Sequence, residues 1–430
     1  MSLFHAQLSA AGLEAAFADL HPAFTPQEAV VEANRCLFCF DAPCTNACPT
    51  HIDVPRFIKK IATENLRGSA LTILHANMLG LSCSRICPVD VLCQGACVMH
   101  RYNRKPIEIG RLQRRAMEHF YDTGAKLPPQ EVEAKRQRIA CIGAGPASLA
   151  CAAELRRQGY AVTIFEAQSL GGGLNTHGVA EYKLRAPDSL REVEFIRSLG
   201  VEIRTGVCIG EDIALEQLDQ EYDAIFLGVG LGPTEKINIP GEDGQNVMDA
   251  VSFIAAYKVS KQVTVGRRTV ILGGGNTAID AAVAARRLGA EEAAIVYRRE
   301  EHDLPAFGFE YEHAKENGIR FFWRTLPVAI RETGVECVRT EPGAADATGR
   351  STPEPVAGSN FLIPCDLVIV ALGQAKLTSL LADRANPLTD NPKYFAGGDC
   401  ANGGREVVDA AAEGKRAAQG IAAWLEKRCG

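Results

Sequence analysis

Residues 135–167 read KRQRIACIGAGPASLACAAELRRQGYAVTIFEA. An apolar run stops at a glycine turn, a helical pattern follows, and a second apolar run ends in an acid. Strand, turn, helix and strand in that order predict a βαβ unit. A dinucleotide's pyrophosphate needs backbone N–H groups and a helix N-terminus close to it, and only glycine lets the main chain come so near. Gly143 and Gly145 fill the first two positions of the G-x-G-x-x-G pattern, followed by Pro146 and Ala147, and Ser148 replaces the third glycine. Glu166 closes the second strand about 20 residues on, where an acid bonds a ribose hydroxyl. An ordinary glycine turn needs none of these neighbours.

A second unit begins at Arg267: RRTVILGGGNTAIDAAVAARRLGAEEAAIVYRRE. Its loop carries Gly273, Gly274, Gly275, Asn276 and Thr277, with Ala278 at the third position. The acid is missing. Arg298 and Arg299 stand where a 2′-phosphate would lie, which favours NADP, but Glu300 and Glu301 follow directly and the cofactor is left as NAD(P). Two such sites in one chain suggest a flavin plus a nicotinamide. The C-terminal FAGGD fits this: a strand delivers Gly397, Gly398 and Asp399, placing a carboxylate for the flavin's ribityl chain. A helix beginning near Val407 and Val408 then aims its N-terminal amides at the flavin's pyrimidine edge.

Upstream, residues 36–52 read CLFCFDAPCTNACPTHI. The cysteine spacing is C-x2-C-x4-C-x3-C-P and, after 34 residues, C-x3-C-P-x4-C-x3-C. Eight of the 15 cysteines fall between Cys36 and Cys97. Disulfides do not persist in a reducing cytosol, and zinc sites show paired C-x2-C knuckles, of which only Cys36 and Cys39 make one. A run closing C-x3-C-P is that of ferredoxins whose fourth cysteine serves the other cluster. By count alone, eight thiolates make two 4Fe-4S clusters, with Cys83 among the ligands.

The expected fold class is α/β: an N-terminal all-α iron–sulfur domain followed by two Rossmann-like dinucleotide-binding domains, the FAD domain interrupted by the NAD(P) domain. The expected boundaries are 1–133 for the helical domain, 134–234 and 365–430 for the two parts of the FAD domain, and 235–364 for the NAD(P) domain. The polar stretch EPGAADATGRSTPEPVAGSN reads as an exposed loop on the second dinucleotide unit. A net charge of −6 speaks against nucleic acid or a membrane surface as partner, and no apolar run has the length of a membrane helix. The first residues, without Lys or Arg before Arg35, resemble neither a secretory signal nor a transit peptide, so a cytoplasmic location is expected.

From about Ala33 to Leu425, the chain resembles the electron-input part of dihydropyrimidine dehydrogenase, in bacteria a separate PreT-like subunit. The glutamate synthase small subunit is a more distant relative. CLFCFDAPCTNACPT, NMLGLSCSRICPVDVLCQGAC, KPIEIGRLQ, GAGPAS and FAGGD carry the resemblance. It implies one cluster on Cys36, Cys39, Cys44 and Cys97, and another on Cys48, Cys87, Cys93 and Gln113, with Cys83 spare. Glutamate synthase relatives tend to have glutamate at the place of Gln113, which tilts the reading toward pyrimidine reduction. FAD would contact Gly143, Gly145, Pro146, Ala147, Glu166, Gly173, Leu174, Lys183 and Asp399; NAD(P) would contact Gly275, Asn276, Thr277, Arg298, Arg299 and the turn Ala371 to Gly373. Hydride would pass from NADH or NADPH to FAD and electrons on through the clusters. The partner would be a PreA-like subunit holding FMN, further clusters and the pyrimidine site, in a hetero-oligomer. No catalytic acid or base is expected, since the cofactors carry the chemistry, and His51 and His177 are read as packed or solvated. Two other readings stand beside this one: a glutamate synthase small subunit or NAD(P)H:ferredoxin-type reductase, and a flavin and iron–sulfur redox sensor without turnover.

Overall fold

The computed structural model describes residues 3–7, 9–129, 131–345, 350–377 and 391–429. The chain forms two compact units: Leu20–Thr176, Lys183–Leu231 and Lys376–Gly430 make the larger, and Met1–Asp19, His177–Tyr182 and Gly232–Ala375 the smaller.

The larger unit joins a helical part to a parallel sheet. Its strands lie in the order Tyr394–Ala396, Ala224–Leu227, Arg138–Ile142, Ala161–Glu166 and Glu202–Thr205. The helix Pro146–Arg157 packs beside the long last helix Val407–Cys429. Gly414 permits this, since a Cβ there would stand 2.1 Å from the Ala147 carbonyl oxygen. The upstream helices start where the local chemistry dictates. Thr25 and Glu28 form a capping box ahead of Pro26–Asn34. Asp53 caps Val54–Ala62, and Asn65 caps Leu66–Ala76 after Glu64 turns the chain at φ 59°. Phe57, Ile61, Leu112 and Phe120 from these helices share one continuous core with Ile139, Ala152 and Ile421. The helical part is thus packed on the sheet through common apolar contacts.

The smaller unit has its own parallel sheet, ordered Arg320–Phe322, Glu292–Val296, Arg268–Leu272, Leu367–Val370 and Val247–Asp249. An antiparallel sheet joins Thr325–Arg331, Gly334–Ala345, Ser351–Pro355 and Phe361–Pro364.

Three expectations need correction. The first 19 residues belong to the smaller unit, not to the helical domain. Leu3–Gln7 pairs antiparallel with Gln262–Gly266, and Phe17 stacks on Tyr257 at 4.9 Å. A five-residue strand whose partner lies some 255 positions away leaves no periodic mark of its own. The boundary at 365 moves to 375, because Leu367–Val370 lies beside Arg268–Leu272. Four consecutive buried apolar residues suit the middle of either parallel sheet, so pattern alone does not assign them. Much of the stretch read as an exposed loop is strand: Gly334–Ala345 pairs with Ser351–Pro355, while 346–349 lie outside the described residues.

Candidate functional site

In the larger unit the first glycine loop is held by close backbone contacts. Gly143 has φ 87°, and a Cβ on it would stand 2.6 Å from the Gly228 carbonyl oxygen. Gly145 caps Pro146–Arg157, with Pro146 opening the helix, and a Cβ there would meet nothing closer than 4.0 Å. The amides at that helix end face the open space an anion requires. The third-glycine role has moved: Ser148 is fully buried with its hydroxyl unpaired, and Gly228 of the neighbouring strand leaves room for it. Glu166 is buried and rigidly held. Its Oε2 accepts from Ala144 N at 2.6 Å and its Oε1 from Gln168 N at 2.8 Å, and a carboxylate has further lone pairs to offer. Gly173 brings its segment onto the loop, with a Cβ there only 2.9 Å from Gly145 Cα, and Leu174 begins the next short helix. Gly398 stands at φ 79° against Ala147. Asp399 accepts from Arg405 N at 3.2 Å, and burial pushes its carboxyl up. Val407 and Val408 open the last helix. Before them, Glu406 is pushed up to about 6 by burial and then by Asp409, with Lys183 opposing. The structure therefore gathers every residue expected at the flavin into this unit. Gly228, Gly414 and Glu413, whose Oε2 accepts from Gly398 N at 2.7 Å, complete the frame. Sequence reading missed them because each acts by a contact distant along the chain.

The second loop lies within the smaller unit. Gly273, at φ 135°, approaches Ala371 so closely that a Cβ would meet its carbonyl oxygen at 2.2 Å. Gly275 caps the helix Asn276–Arg287 with open space around it. Asn276 Oδ1 accepts from Phe307 N at 3.0 Å; Thr277 lies in the first turn, and Gly373 turns the chain at φ 103°. The two arginines diverge. Arg298 is exposed, whereas Arg299 is buried and its Nε donates to the Ser351 carbonyl at 2.8 Å. The hairpin at Ser351 draws Arg299 inward, so the two do not form one phosphate clamp.

The clustered cysteines line two cavities. Cys36, Cys39, Cys44 and Cys97 surround one, closed by Val54, Ile58 and Ile109. Cys48, Cys83, Cys87, Cys93 and Gln113 surround the other, walled by Ile52 and by Val408 of the last helix. Among the described residues, no three His, Cys, Asp or Glu side chains gather at the spacing of a single metal ion. A ring of donors around a void suits a polynuclear cluster, whose ligands each hold a different iron. Burial pushes Cys44 and Cys93 up to about 12, and their neighbouring thiols push in the same direction. Cys87 is raised by a hydrogen bond with Cys83 and then by burial. Such thiols would ionise only with a cationic centre between them. Gln113 Nε2 donates to the Gly80 carbonyl at 2.7 Å, which leaves its oxygen for the cavity it lines.

Comparison with known proteins bears on this geometry. Residues 13–125 match the family described as dihydropyrimidine dehydrogenase domain II, 4Fe-4S cluster, and residues 137–414 match pyridine nucleotide-disulphide oxidoreductase. The chain is 34% identical to the glutamate synthase [NADPH] small chain of Escherichia coli, over 95% of this chain and 94% of that one. It is 35% identical to a Salmonella typhi homolog of the NAD-dependent dihydropyrimidine dehydrogenase subunit PreT, over 96% of this chain and 98% of that one. Among solved structures, the Mycobacterium tuberculosis oxidoreductase FprA matches with a TM-score of 0.56 and 19% identity, covering 68% of this chain and 86% of that one, a likeness of fold. Among the described residues, no helix is long and apolar enough to cross a membrane.

Proposed function

This chain belongs to the pyridine nucleotide-disulphide oxidoreductases, with a dihydropyrimidine dehydrogenase-type 4Fe-4S domain ahead of the nucleotide-binding part, and from that premise we propose that it is the NAD(P)H-oxidising subunit of a dihydropyrimidine dehydrogenase. FAD supplies the switch from hydride to single-electron chemistry, and the clusters carry single electrons. In this reading, the amides at the start of Pro146–Arg157 would hold the pyrophosphate, Glu166 the ribose, Asp399 the ribityl chain, and the first turn of the last helix the pyrimidine edge of the flavin. Cys36, Cys39, Cys44 and Cys97 bind one cluster; Cys48, Cys87, Cys93 and Gln113 bind the other. The loop Gly273–Thr277 holds the nicotinamide nucleotide, with Arg298 as the exposed cation near its ribose. Electrons leave to a PreA-like partner bearing FMN, further clusters and the pyrimidine site, which reduces uracil or thymine to the dihydropyrimidine.

The observation that carries the pyrimidine assignment is Gln113: a buried neutral amide, held by Gly80 with its oxygen left for the cysteine cavity. The near full-length likeness to the PreT homolog supports it. The near full-length likeness to a glutamate synthase small chain favours the competing reading. One experiment separates them. Anaerobically purified chain is mixed with its partner candidate, and NADH and NADPH oxidation are followed separately with uracil, thymine, or glutamine plus 2-oxoglutarate. Oxidation driven by uracil or thymine is expected, and it also names the nicotinamide. Oxidation driven only by glutamine plus 2-oxoglutarate removes the pyrimidine assignment. Absence of steady dye reduction by the chain alone favours a redox sensor.

A further inference from the structure

The second cysteine cavity has one thiol more than its proposed ligand set requires. Gly80, Cys83 and Cys87 lie at i, i+3 and i+7 along the helix Gly80–Ile86 and its cap, so they share one face. Both ends of this stripe are tied to proposed ligands: Gln113 Nε2 donates to Gly80 O at 2.7 Å, and Cys87 is itself a ligand. Cys83 sits between them, 3% exposed and lining the same cavity.

Its sulfur is engaged on two sides. Asn77 Nδ2 donates to Cys83 Sγ at 3.1 Å. The amide's orientation follows from its other end, where Oδ1 accepts from Leu79 N at 2.9 Å. Cys87 follows one helical turn on, at i+4, and lines the same cavity, and a hydrogen bond with Cys83 is the first of the causes that raise it. A sulfur that already accepts an N–H has one proton left to give. A cysteine bound to iron is a thiolate and has none. With Cys87 as ligand, the bond therefore runs from Cys83 S–H to Cys87 Sγ.

We propose that Cys83 is a positioning residue that does not bind iron: Asn77 holds its sulfur so that its proton is donated to the Cys87 thiolate, and this bond sets the potential of the second cluster. Hydrogen bonds to ligand sulfurs stabilise the more negative, reduced cluster and so raise its potential. The inference rests on the proposed assignment of Cys48, Cys87, Cys93 and Gln113 to that cluster.

The test uses the full chain purified anaerobically, as wild type, Cys83→Ala, Cys83→Ser and Gln113→Ala. Iron and acid-labile sulfide are counted, and both clusters are titrated potentiometrically with electron paramagnetic resonance. Cys83→Ala is expected to keep its full iron while the second cluster's midpoint moves to a more negative potential. Cys83→Ser, whose hydroxyl still donates, is expected to recover part of that shift, and the first cluster's midpoint stays put in both. Full iron with an unmoved midpoint in Cys83→Ala, beside an altered second-cluster spectrum in Gln113→Ala, overturns the role of Cys83 and leaves the ligand assignment standing. Loss of about half the iron in Cys83→Ala, beside an unaltered spectrum in Gln113→Ala, overturns both.

Discussion

The two cysteine cavities lie in one compact unit and are built in opposite ways. The first takes Cys36, Cys39 and Cys44 from a single bent run, and only Cys97 comes from afar. Its surroundings are strained: Phe38 and Ala42 hold positive φ of 51° and 29° without being glycine. Leu37 and Phe40 beside it are exposed. The second draws on the end of that run, on Cys87 and Cys93, on the helix Ile109–Asp122 through Gln113, and on the last helix through Val408. The first is a local device held by backbone strain. The second is a junction of the fold, so chemistry and packing there cannot be changed separately.

The largest effects test that distinction directly. Cys44→Ala and Cys93→Ala are each expected to lose roughly half of the iron, one ligand of four being removed in each case. Their flavin content should differ. Cys44→Ala should keep its flavin, since the damage stays in a surface run. Cys93→Ala should lose part of it, since Val408 borders both the second cavity and the flavin's expected ring position. Iron and flavin per chain decide this, and equal flavin retention would break the contrast.

Glu192 gives a second lever, on the junction alone. It reaches from the helix Ala186–Ser198 to Gly80–Ile86, where it accepts from Leu81 N at 2.8 Å and from the Ser82 backbone and hydroxyl. Burial pushes its carboxyl up from 4.5 to about 7, against the lowering effect of those hydrogen bonds, and Asp188 adds to the rise. Asp188 itself faces Arg85, Arg185 and Arg191. In the folded chain Glu192 keeps its proton up to about pH 7, while unfolded it would lose it near 4.5. Between those values the folded state binds the extra proton, so stability falls as pH rises and is level above. The expected loss is about 3 kcal/mol across that window, and Glu192→Gln should abolish it. Unfolding midpoints of both chains at pH 4 and pH 8, conditions on either side of the window, measure the difference.

What was legible in sequence follows the same division. Both glycine loops, Glu166, the FAGGD strand and three thiols of the first cavity, Cys36, Cys39 and Cys44, lie within short windows where residue type and spacing carry the physics. Contacts made across the chain were not legible. Gly228 takes over the space-making role of the absent third glycine from about 80 residues away, and nothing near Ser148 announces it. Arg299 carries the right charge at the right offset, yet a hairpin more than 50 residues later buries it. Leu3–Gln7 reads as nothing until Gln262–Gly266 lies beside it. Glu192 looks like one more acid on an amphipathic helix, though it is among the most buried carboxylates of the unit at 1% exposure.

The smallest effects come from moving one methyl group in opposite directions at the two cavities. Gly80 opens the helix that carries Cys83, and a Cβ there would stand 2.5 Å from Ile73 Cγ2 and 3.2 Å from Met117 Sδ. Gly80→Ala must therefore push into a packed core, at a cost of about 1–3 kcal/mol. Ala42 precedes Cys44 at φ 29° and ψ 74°, and its carbonyl accepts from Thr45 N and Asn46 N, so the conformation is fixed by the turn it starts. Ala42→Gly relieves that strain. The relief outweighs the extra freedom glycine has when unfolded, for a net gain of at most about 1 kcal/mol. Anaerobic thermal unfolding of the loaded protein should show Gly80→Ala below and Ala42→Gly slightly above the wild type. A gain at Gly80→Ala as well would mean that the core around the second cavity yields to an added methyl group, and the contrast between a packed junction and a local device would fail.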